Sequence, residues 1–193
     1  MDDALEKTRL RQLMRAARAK VTSEERQLLA EQIVERALDL PEVANATHVL
    51  GYAALPEEFD PKPLLDALRL QGAVICLPRV QDKTFLTLHM CEADVSLESG
   101  PFGLRQPEAD ALRMDPDSLD LIIVPGTAFD ARGARIGMGG GYYDRLLAAT
   151  PLAHRIALAF DFQITEKVPE LAHDQRVDVV ITPSVILRGP LRR

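Results

Sequence analysis

The sequence has few of the features that mark secreted, membrane-spanning or nucleic-acid-binding proteins. Its 193 residues contain two cysteines, and no run approaches the roughly 18 consecutive apolar residues of a membrane-spanning helix. The N-terminal segment MDDALEKTRL lacks the apolar core of a secretory signal. A formal net charge of −6 disfavours nucleic acid or an anionic membrane surface as the primary partner. We therefore expect a cytoplasmic protein with no nucleic-acid and no membrane partner.

Metal sites built from sulfur or imidazole ligands are also disfavoured. Cys76 and Cys91 lack the short paired spacing of a zinc site, and we interpret them as buried free thiols. The four histidines are scattered and form no His-x-x-x-His pair. Metal binding through imidazole is therefore not expected.

The remaining composition is that of a globular protein, with 47% hydrophobic and 27% charged residues. No internal repeat, low-complexity stretch or interdomain linker interrupts the chain, so residues 1–193 are expected to form one domain. Apolar periodicity predicts a helix over residues 4–17. A capping box formed by Thr22 and Glu25 predicts a second helix that ends near residue 39.

Alternating strand and helix patterns follow these two helices. Strands are predicted over residues 48–52 and 73–77, with a helix between them that Asp60 caps, that has Pro61 at its first position and that stops at Gly72. This order is a β-α-β unit with a right-handed crossover. Further strands are predicted over residues 84–90, 121–124, 155–160 and 178–182, with a long loop of short elements over residues 91–117. The predicted fold class is α/β: a single domain with a mostly parallel central sheet, helices on both faces and two N-terminal helices.

Residues 121–147 (LIIVPGTAFDARGARIGMGGGYYDRLL) are predicted to form a buried strand, a loop with a turn at residues 130–133, and a helix. Four glycines at positions 137, 139, 140 and 141 precede the helix, where close backbone approach and exposed N–H groups favour a phosphate. The alternative interpretation is a structural turn. Arg135 and Arg145 flank the loop with charges suited to phosphate oxygens, and Asp144 can hold a hard cation.

This loop matches neither common nucleotide-binding fingerprint. A P-loop requires Gly-Lys-Ser/Thr at its end, whereas Gly141 is followed by Tyr142, where a dinucleotide-binding loop would need glycine. A β-branched residue at Gly140 is expected to block the ligand and to resist a positive φ.

The string AFD, then Gly, then RIG-x-GGGYYDR closely resembles the signature of the 5-formyltetrahydrofolate cyclo-ligase family, also called methenyltetrahydrofolate synthetases. The resemblance extends in the same order from Lys7 to about Thr182. KTRLR is similar to the family's N-terminal Lys-x-x-x-Arg, and PEEFDP is similar to Gly-Glu-x-Asp-Thr, with Glu57 for Gly and Pro61 for Thr. GPFGLRQP resembles Gly-x-Phe/Tyr-x-Ile-x-Glu-Pro, with Gln106 for Glu, and HDQRVDVV resembles His-Asp-x-x-Val-Asp-x-Val.

This resemblance implies the ATP- and magnesium-dependent cyclisation of 5-formyltetrahydrofolate to 5,10-methenyltetrahydrofolate, with release of ADP and phosphate. ATP would phosphorylate the formyl oxygen, and N10 would then attack. The two substrates, ATP as co-substrate and the folate, would be the partners of a monomeric enzyme. The residues implied are Lys7, Arg11, Arg135, Ile136, Gly137, Met138, Gly139, Gly140, Gly141, Tyr142 and Tyr143 for ATP; Glu58, Met138, Gly139, Gly140, Gly141 and Tyr142 for the folate; Asp144 and Asp174 for Mg²⁺; and Arg145 and Tyr143 for catalysis.

The residues themselves leave alternatives open. Lys7 and Arg11, four positions apart, share a helix face that can simply be solvated, whereas Arg9 points elsewhere. Either Glu57 or Glu58 can be the folate contact. Phe102 either packs against a flat heterocycle or anchors its loop, and Tyr142 and Tyr143 either stack on a ligand or are buried at the start of the helix.

Two other functions are compatible with the same sequence. The first is a different enzyme on a related α/β scaffold, such as a sugar-phosphate isomerase or an acyl-transferring protein, which would be indifferent to folate. The second is a regulatory or ligand-binding protein that binds ATP and folate without releasing phosphate.

Overall fold

A computed structural model describes residues 3–82 and 84–190. Five α-helices lie in this part of the chain: α1 (Asp3–Arg18), α2 (Ser23–Leu38), α3 (Pro41–Ala44), α4 (Lys62–Leu70) and α5 (Tyr142–Ala149). The capping box that starts α2 is present, since the Thr22 hydroxyl accepts from the Glu25 N–H and the Glu25 carboxylate accepts from the Thr22 N–H. These contacts fix where α2 starts.

The strands form one large sheet and two small ones. They are β1 (His48–Leu50), β2 (Val74–Val80), β3 (Leu86–Met90), β4 (Glu98–Ser99), β5 (Arg105–Gln106), β6 (Arg113–Met114), β7 (Leu121–Ile123), β8 (Ala128–Phe129), β9 (Arg135–Ile136), β10 (His154–Leu158), β11 (Val179–Ile181) and β12 (Ile186–Arg188). The large sheet has the order β12-β11-β10-β7-β1-β2-β3-β6. Its five central strands, β11, β10, β7, β1 and β2, are parallel, and antiparallel strands extend both edges. The mostly parallel sheet is therefore confirmed.

The central strands are apolar on both faces because helices cover both. Val49 belongs to the core under α2 and α4, whereas its neighbour Leu50 belongs to the core under α5. Likewise, Leu121 belongs to the core under α2 and α4, and Ile122 belongs to the core under α5. Successive side chains of a strand point to opposite faces, so a strand covered on both sides has a continuous apolar run.

Helix α1 covers neither face of the large sheet. Its buried residues Leu10 and Met14 pack against Ala128, Ala134 and Ile136, on and beside the β8–β9 hairpin. The predicted turn at residues 130–133 connects these two strands, and the Gly133 N–H donates to the Asp130 carbonyl at 3.0 Å. The hairpin itself was not predicted, because two residues per strand are too few for a periodic pattern.

The observed start of α4 differs from the predicted one by one residue. α4 begins at Lys62, with Pro61 at the N-cap position, and the Asp60 carboxylate accepts from the Lys62 N–H at 3.0 Å. Asp60 thus stabilises the start of the helix as predicted, and Pro61 lies one position earlier than predicted. Strand β12, which pairs antiparallel with β11, was not predicted. Across residues 3–82 and 84–190, no helix is long and apolar enough to cross a membrane.

Candidate active site

A cavity of about 620 Å³ opens at the carboxyl ends of the parallel strands β1, β2 and β7. This edge is where ligands bind in open parallel sheets. Its wall includes α1, the loop after β1, the loop after β7 and the glycine loop, which we define as residues 137–141. Fourteen of the residues that the sequence nominated line it: Lys7, Arg11, Glu58, Arg135, Ile136, Gly137, Met138, Gly139, Gly140, Gly141, Tyr142, Tyr143, Asp144 and Asp174.

Helix α1 supplies two basic side chains to the cavity. The packing of Leu10 and Met14 turns Lys7 and Arg11 inward, because residues three and four apart share a helix face. The Lys7 ammonium donates to Asp174 Oδ2, and Arg11 Nε donates to the Gly137 carbonyl at 2.9 Å. Arg9 points away and pairs with Glu6 on the surface. Lys7 and Arg11 therefore share a helix face, as predicted, and this face lines the cavity.

Arg135 is buried beneath the glycine loop. Its Nη2 donates to Asp144 Oδ1 at 2.9 Å, and its guanidinium lies 6.0 Å from the centre of the Tyr143 ring. Burial lowers the pKa of Arg135, and the Asp144 carboxylate opposes that shift. Arg135 Nε and the Tyr143 hydroxyl are both buried with no hydrogen-bond partner among the described residues. Such groups are candidates to bind a ligand.

The glycine loop needs glycine at two positions for backbone reasons. Gly139 has φ +106° and Gly141 has φ +67°, values that L-residues rarely adopt. Gly140 does not have a positive φ, so that part of the expectation is wrong. A Cβ at Gly140 would instead lie 2.8 Å from the Tyr142 ring. A side chain there would therefore require the Tyr142 ring to move.

Asp144 and Asp174 come from separate parts of the chain and line the same cavity. Asp144 lies in the first turn of α5, and its Oδ1 also accepts from the N–H of Gln175, the neighbour of Asp174, at 3.0 Å. Burial raises the pKa of Asp174, but the Leu171 N–H and the Lys7 ammonium outweigh it, so the net shift is downward. Among the described residues, Asp144 Oδ2 and Asp174 Oδ1 accept no hydrogen bond. Each carboxylate thus has one oxygen that accepts no hydrogen bond from these residues, and Asp174 Oδ1 lies 3.8 Å from His173 Nε2.

The loop after β1 brings one glutamate to the cavity. Glu58 lines it, whereas Glu57 does not and lies 3.9 Å from Arg15 at the surface. Glu58 Oε2 accepts from the Leu55 N–H at 3.1 Å, and the Tyr52 hydroxyl donates to the Phe59 carbonyl at 2.8 Å, so the loop is held at both ends. The geometry favours Glu58 over Glu57 as the ligand contact.

Apolar side chains from β2, β3 and the β4–β5 hairpin line another part of the cavity, together with Arg105 and Gln106. Pro78, Val80 and Leu86 line it together with Phe102, which is 68% exposed and has φ +62°. An exposed aromatic in that backbone region does not anchor a core, and such strain is typical of functional sites. Gln106, which replaces the expected glutamate, is buried and accepts from the Val80 N–H at 3.2 Å.

Arg145, which the resemblance implied for catalysis, does not line the cavity. Its Nε donates to the Thr84 carbonyl at 2.7 Å, its Nη2 donates to the Gly140 carbonyl at 3.0 Å, and its guanidinium lies over the Tyr142 ring. The Tyr142 hydroxyl donates to the Asp82 carbonyl at 3.0 Å. Both side chains connect the glycine loop to the turn between β2 and β3.

Sequence reasoning missed several lining residues. Tyr52, Thr127 and His173 line the cavity, and none of them stood out by spacing or charge. His173 precedes Asp174 in the segment that resembles His-Asp-x-x-Val-Asp, which was the available signal.

A sequence model of the 5-formyltetrahydrofolate cyclo-ligase family matches residues 3–183. The 5-formyltetrahydrofolate cyclo-ligase of Escherichia coli (strain K12) is 31% identical over 182 residues, which span 90% of this chain and 98% of that protein. The protein of the same name from Mus musculus is 27% identical and spans 89% of each chain.

Solved structures resemble this fold. The NMR structure of Aquifex aeolicus 5,10-methenyltetrahydrofolate synthetase superposes with a TM-score of 0.83 at 33% identity, covering 97% of this chain and 94% of that one. A 5,10-methenyltetrahydrofolate synthetase from Mycoplasma pneumoniae has a TM-score of 0.75 at 20% identity, which shows a shared fold.

Proposed function

Because the chain belongs to the 5-formyltetrahydrofolate cyclo-ligase family, we propose that it is a ligase that converts 5-formyltetrahydrofolate to 5,10-methenyltetrahydrofolate. The reaction uses ATP and Mg²⁺ and releases ADP and phosphate. The observation that carries this proposal is that one cavity is lined by basic side chains and the glycine loop, and also by Glu58 and several apolar side chains. Such a cavity suits a polyphosphate and a flat heterocycle bound side by side.

ATP binds against the basic side chains and the glycine loop. Lys7, Arg11 and Arg135 supply positive charge, and the backbone of residues 136–141 supplies N–H groups at the start of α5. Met138, which is 57% exposed, and Tyr142 give apolar surface next to these groups. Phosphoryl transfer depends mainly on positioning and charge neutralisation, which this set of groups provides.

Cyclisation needs the formyl oxygen to become a leaving group. An N-formyl group is amide-like and a poor electrophile, so attack by N10 alone would have to expel oxide. Transfer of the γ-phosphoryl group to the formyl oxygen gives an imidoyl phosphate and ADP. Attack by N10 on the formyl carbon then forms the new C–N bond, and the C–O bond breaks to release phosphate. The proton of N10 leaves with the phosphate. We assign the Tyr143 hydroxyl and Arg135 Nε to oxygens of the transferring group, because both residues line the cavity and both atoms have no protein partner among the described residues.

Asp144 and Asp174 suit the magnesium ion of such a reaction. No group of three or more possible metal-ligating side chains occurs within residues 3–82 and 84–190. Mg²⁺ usually takes one or two carboxylates and completes its shell with water and phosphate oxygens, so two carboxylates with one free oxygen each are an adequate donor set. When bound, the ion would neutralise phosphate charge, while Lys7 and Arg135 fix the two carboxylates.

The folate binds against Glu58 and the apolar side chains. Glu58 accepts hydrogen bonds from N–H groups of the pterin, and Phe102 packs against a ring. Arg145 acts through the glycine loop, because it contacts the Gly140 carbonyl and does not line the cavity. We assign it a positioning role in place of the direct catalytic role that the resemblance implied.

Cytoplasmic location and a monomeric state complete the proposal. A net charge of −6 supports a protein with small-molecule substrates and no nucleic-acid partner.

The proposed function is tested by following the methenyl chromophore from 5-formyltetrahydrofolate with purified protein, in complete mixtures and in mixtures lacking ATP or Mg²⁺. We expect product only in the complete mixture, with one ADP formed per product. Indifference to folate would favour a different enzyme on this scaffold, and binding of both ligands without phosphate release would favour a regulatory protein.

A further inference from the structure

Arg18 is a charged side chain buried outside the wall of the cavity. It lies in the last turn of α1 and is 8% exposed. Its Nε has no hydrogen-bond partner among the described residues. Burying a guanidinium is costly unless it is paired, so the position of Arg18 calls for a physical reason.

The acidic group facing Arg18 is Glu58. Arg18 Nη1 lies 3.7 Å from Glu58 Oε1, and the two side chains are 9% and 12% exposed. The preceding turn of α1 carries a surface counterpart, Arg15 with Glu57, at 3.9 Å and with 78% and 44% exposure. An exposed pair contributes little, whereas removing one partner of a buried pair leaves the other charge buried and uncompensated. The two pairs therefore differ mainly in burial.

The ionisation state of Glu58 depends on its surroundings. Burial raises the pKa of Glu58, while the Leu55 N–H and the Arg18 guanidinium oppose that shift. Glu57, on the same loop, adds to the upward shift. Among the described residues, the phenols of Tyr52 and Tyr143 also interact with Glu58, and they stay neutral because burial raises their pKa values. Arg18 is thus the cation that opposes protonation of Glu58.

We propose that Arg18 is a positioning residue that keeps Glu58 ionised and directed into the cavity, so that this carboxylate accepts hydrogen bonds from the pterin of the substrate. This inference rests on the proposed function. A pterin presents two adjacent donors, a ring N–H and an exocyclic amino group, and an ionised carboxylate presents two acceptor oxygens. A protonated Glu58 would present a donor to one of these donors and would lose that match.

The test compares Arg18→Met with Arg15→Met. Methionine keeps an unbranched apolar chain and removes the charge in both cases. The readout is the dissociation constant of 5-formyltetrahydrofolate by titration calorimetry, from about pH 6 to about pH 9. The ratio of variant to wild-type constants cancels the ionisation of the ligand itself. Calorimetry needs no turnover, so failure of this inference is distinguishable from failure of the proposed function.

We expect Arg18→Met to weaken folate binding about 10- to 100-fold near pH 6, because one charge-assisted contact is lost when Glu58 becomes protonated. Binding should recover as the pH rises through the increased pKa of Glu58. Arg18→Lys should recover most of the affinity, and Arg15→Met should bind like the wild type at every pH.

Glu58→Gln identifies the group responsible. This variant should bind the folate weakly without the added pH dependence, and introducing Arg18→Met into it should cause little further loss. Thermal unfolding of each variant reports the structural contribution separately. An Arg18→Met protein that loses stability but binds the folate with a wild-type pH profile would overturn the proposal, as would a full additional loss in the Glu58→Gln background.

Discussion

At the scale of single residues, the site contains two pairs of opposite charges, and the acid of each pair has an oxygen that accepts no hydrogen bond among the described residues. Lys7 pairs with Asp174 and Arg135 pairs with Asp144. Each acid also accepts one backbone N–H, from Leu171 and Gln175 respectively, and retains one oxygen that accepts no hydrogen bond among the described residues. These pairs hold the side chains in place before any ligand binds, which reduces the cost of ordering them.

The first prediction concerns nucleotide binding by α1. Replacing Lys7 and Arg11 with alanine should raise the KM for ATP far more than the KM for the folate, at about 1.5–3 kcal/mol per lost charge-assisted contact. Arg9→Ala is the matched control, because Arg9 lies on the same helix but pairs with Glu6 at the surface. Equal small effects at all three positions would indicate that this face of α1 does not contact the nucleotide.

The second prediction concerns the metal. Asp144→Asn and Asp174→Asn should each weaken the dependence of the rate on Mg²⁺ concentration, with a shifted midpoint. Each should also slow phosphoryl transfer without unfolding the protein. The double variant should lose less than the product of the single losses, because both carboxylates act on one ion. Rates of methenyl product against Mg²⁺ concentration, at saturating ATP, measure this for the four proteins. Fully multiplicative losses with an unchanged midpoint would argue against a shared ion.

At the scale of elements, side chains from neighbouring elements hold the glycine loop in its conformation. Arg145 and Tyr142 join it to the turn between β2 and β3, and Arg11 holds the Gly137 carbonyl from the other side. These contacts fix the direction of its N–H groups, as a phosphate site requires.

The third prediction separates the backbone strain of this loop from its role in the site. Gly139 and Gly72 have similar φ values, +106° and +98°, but only Gly139 lines the cavity. Substitution by alanine should destabilise the protein by about 1–2 kcal/mol at either position. Only Gly139→Ala should also reduce turnover. Stability is read from urea unfolding and turnover from the methenyl chromophore; normal turnover in Gly139→Ala would remove this position from the site.

The fourth prediction concerns the β8–β9 hairpin that supports α1. Asp130 is fully buried, and its carboxylate accepts from the N–H groups of Arg132, Ala134 and Val168 as well as from the Arg132 guanidinium. Asp130→Asn puts an amide donor against these donors, so we expect a loss of about 2–4 kcal/mol in the free energy of unfolding. Urea unfolding measures it.

The pH dependence of that loss has a defined sign. Burial raises the pKa of Asp130, but the hydrogen bonds outweigh it, and the folded-state pKa lies below the ordinary value. The stabilisation is therefore fully present above the unfolded pKa of about 3.9 and disappears as the pH falls through the lower folded value. The difference between wild type and Asp130→Asn should be constant above about pH 5 and shrink below about pH 4. A difference that grows on acidification would contradict this account.

At the scale of the whole molecule, the sequence predicted the mostly parallel sheet and fourteen of the residues that line the cavity. The apolar runs at residues 48–52, 73–77 and 121–124 became β1, β2 and β7, whose carboxyl ends meet at the cavity. The convergence of the loops carrying Asp144 and Asp174 at one edge followed from the same reasoning.

The features that the sequence did not predict depend on long-range packing. Arg18 lies among charged residues of an ordinary amphipathic helix, and only the position of the loop after β1 makes it buried beside Glu58. Arg145 is next to Asp144 in sequence, yet it points to the turn between β2 and β3, because adjacent helix positions face different directions. No local sequence pattern predicts either contact.

In the proposed reaction ATP activates the formyl oxygen, and an isotope label in that oxygen shows which product receives it. The substrate is 5-formyltetrahydrofolate carrying a heavy oxygen isotope in the formyl group, incubated with the protein, ATP and Mg²⁺ until the methenyl chromophore is complete. The account predicts that the label appears in the released phosphate, in proportion to product, by mass spectrometry. Label found in water, with unlabelled phosphate, would contradict phosphorylation of the formyl oxygen and the function built on it.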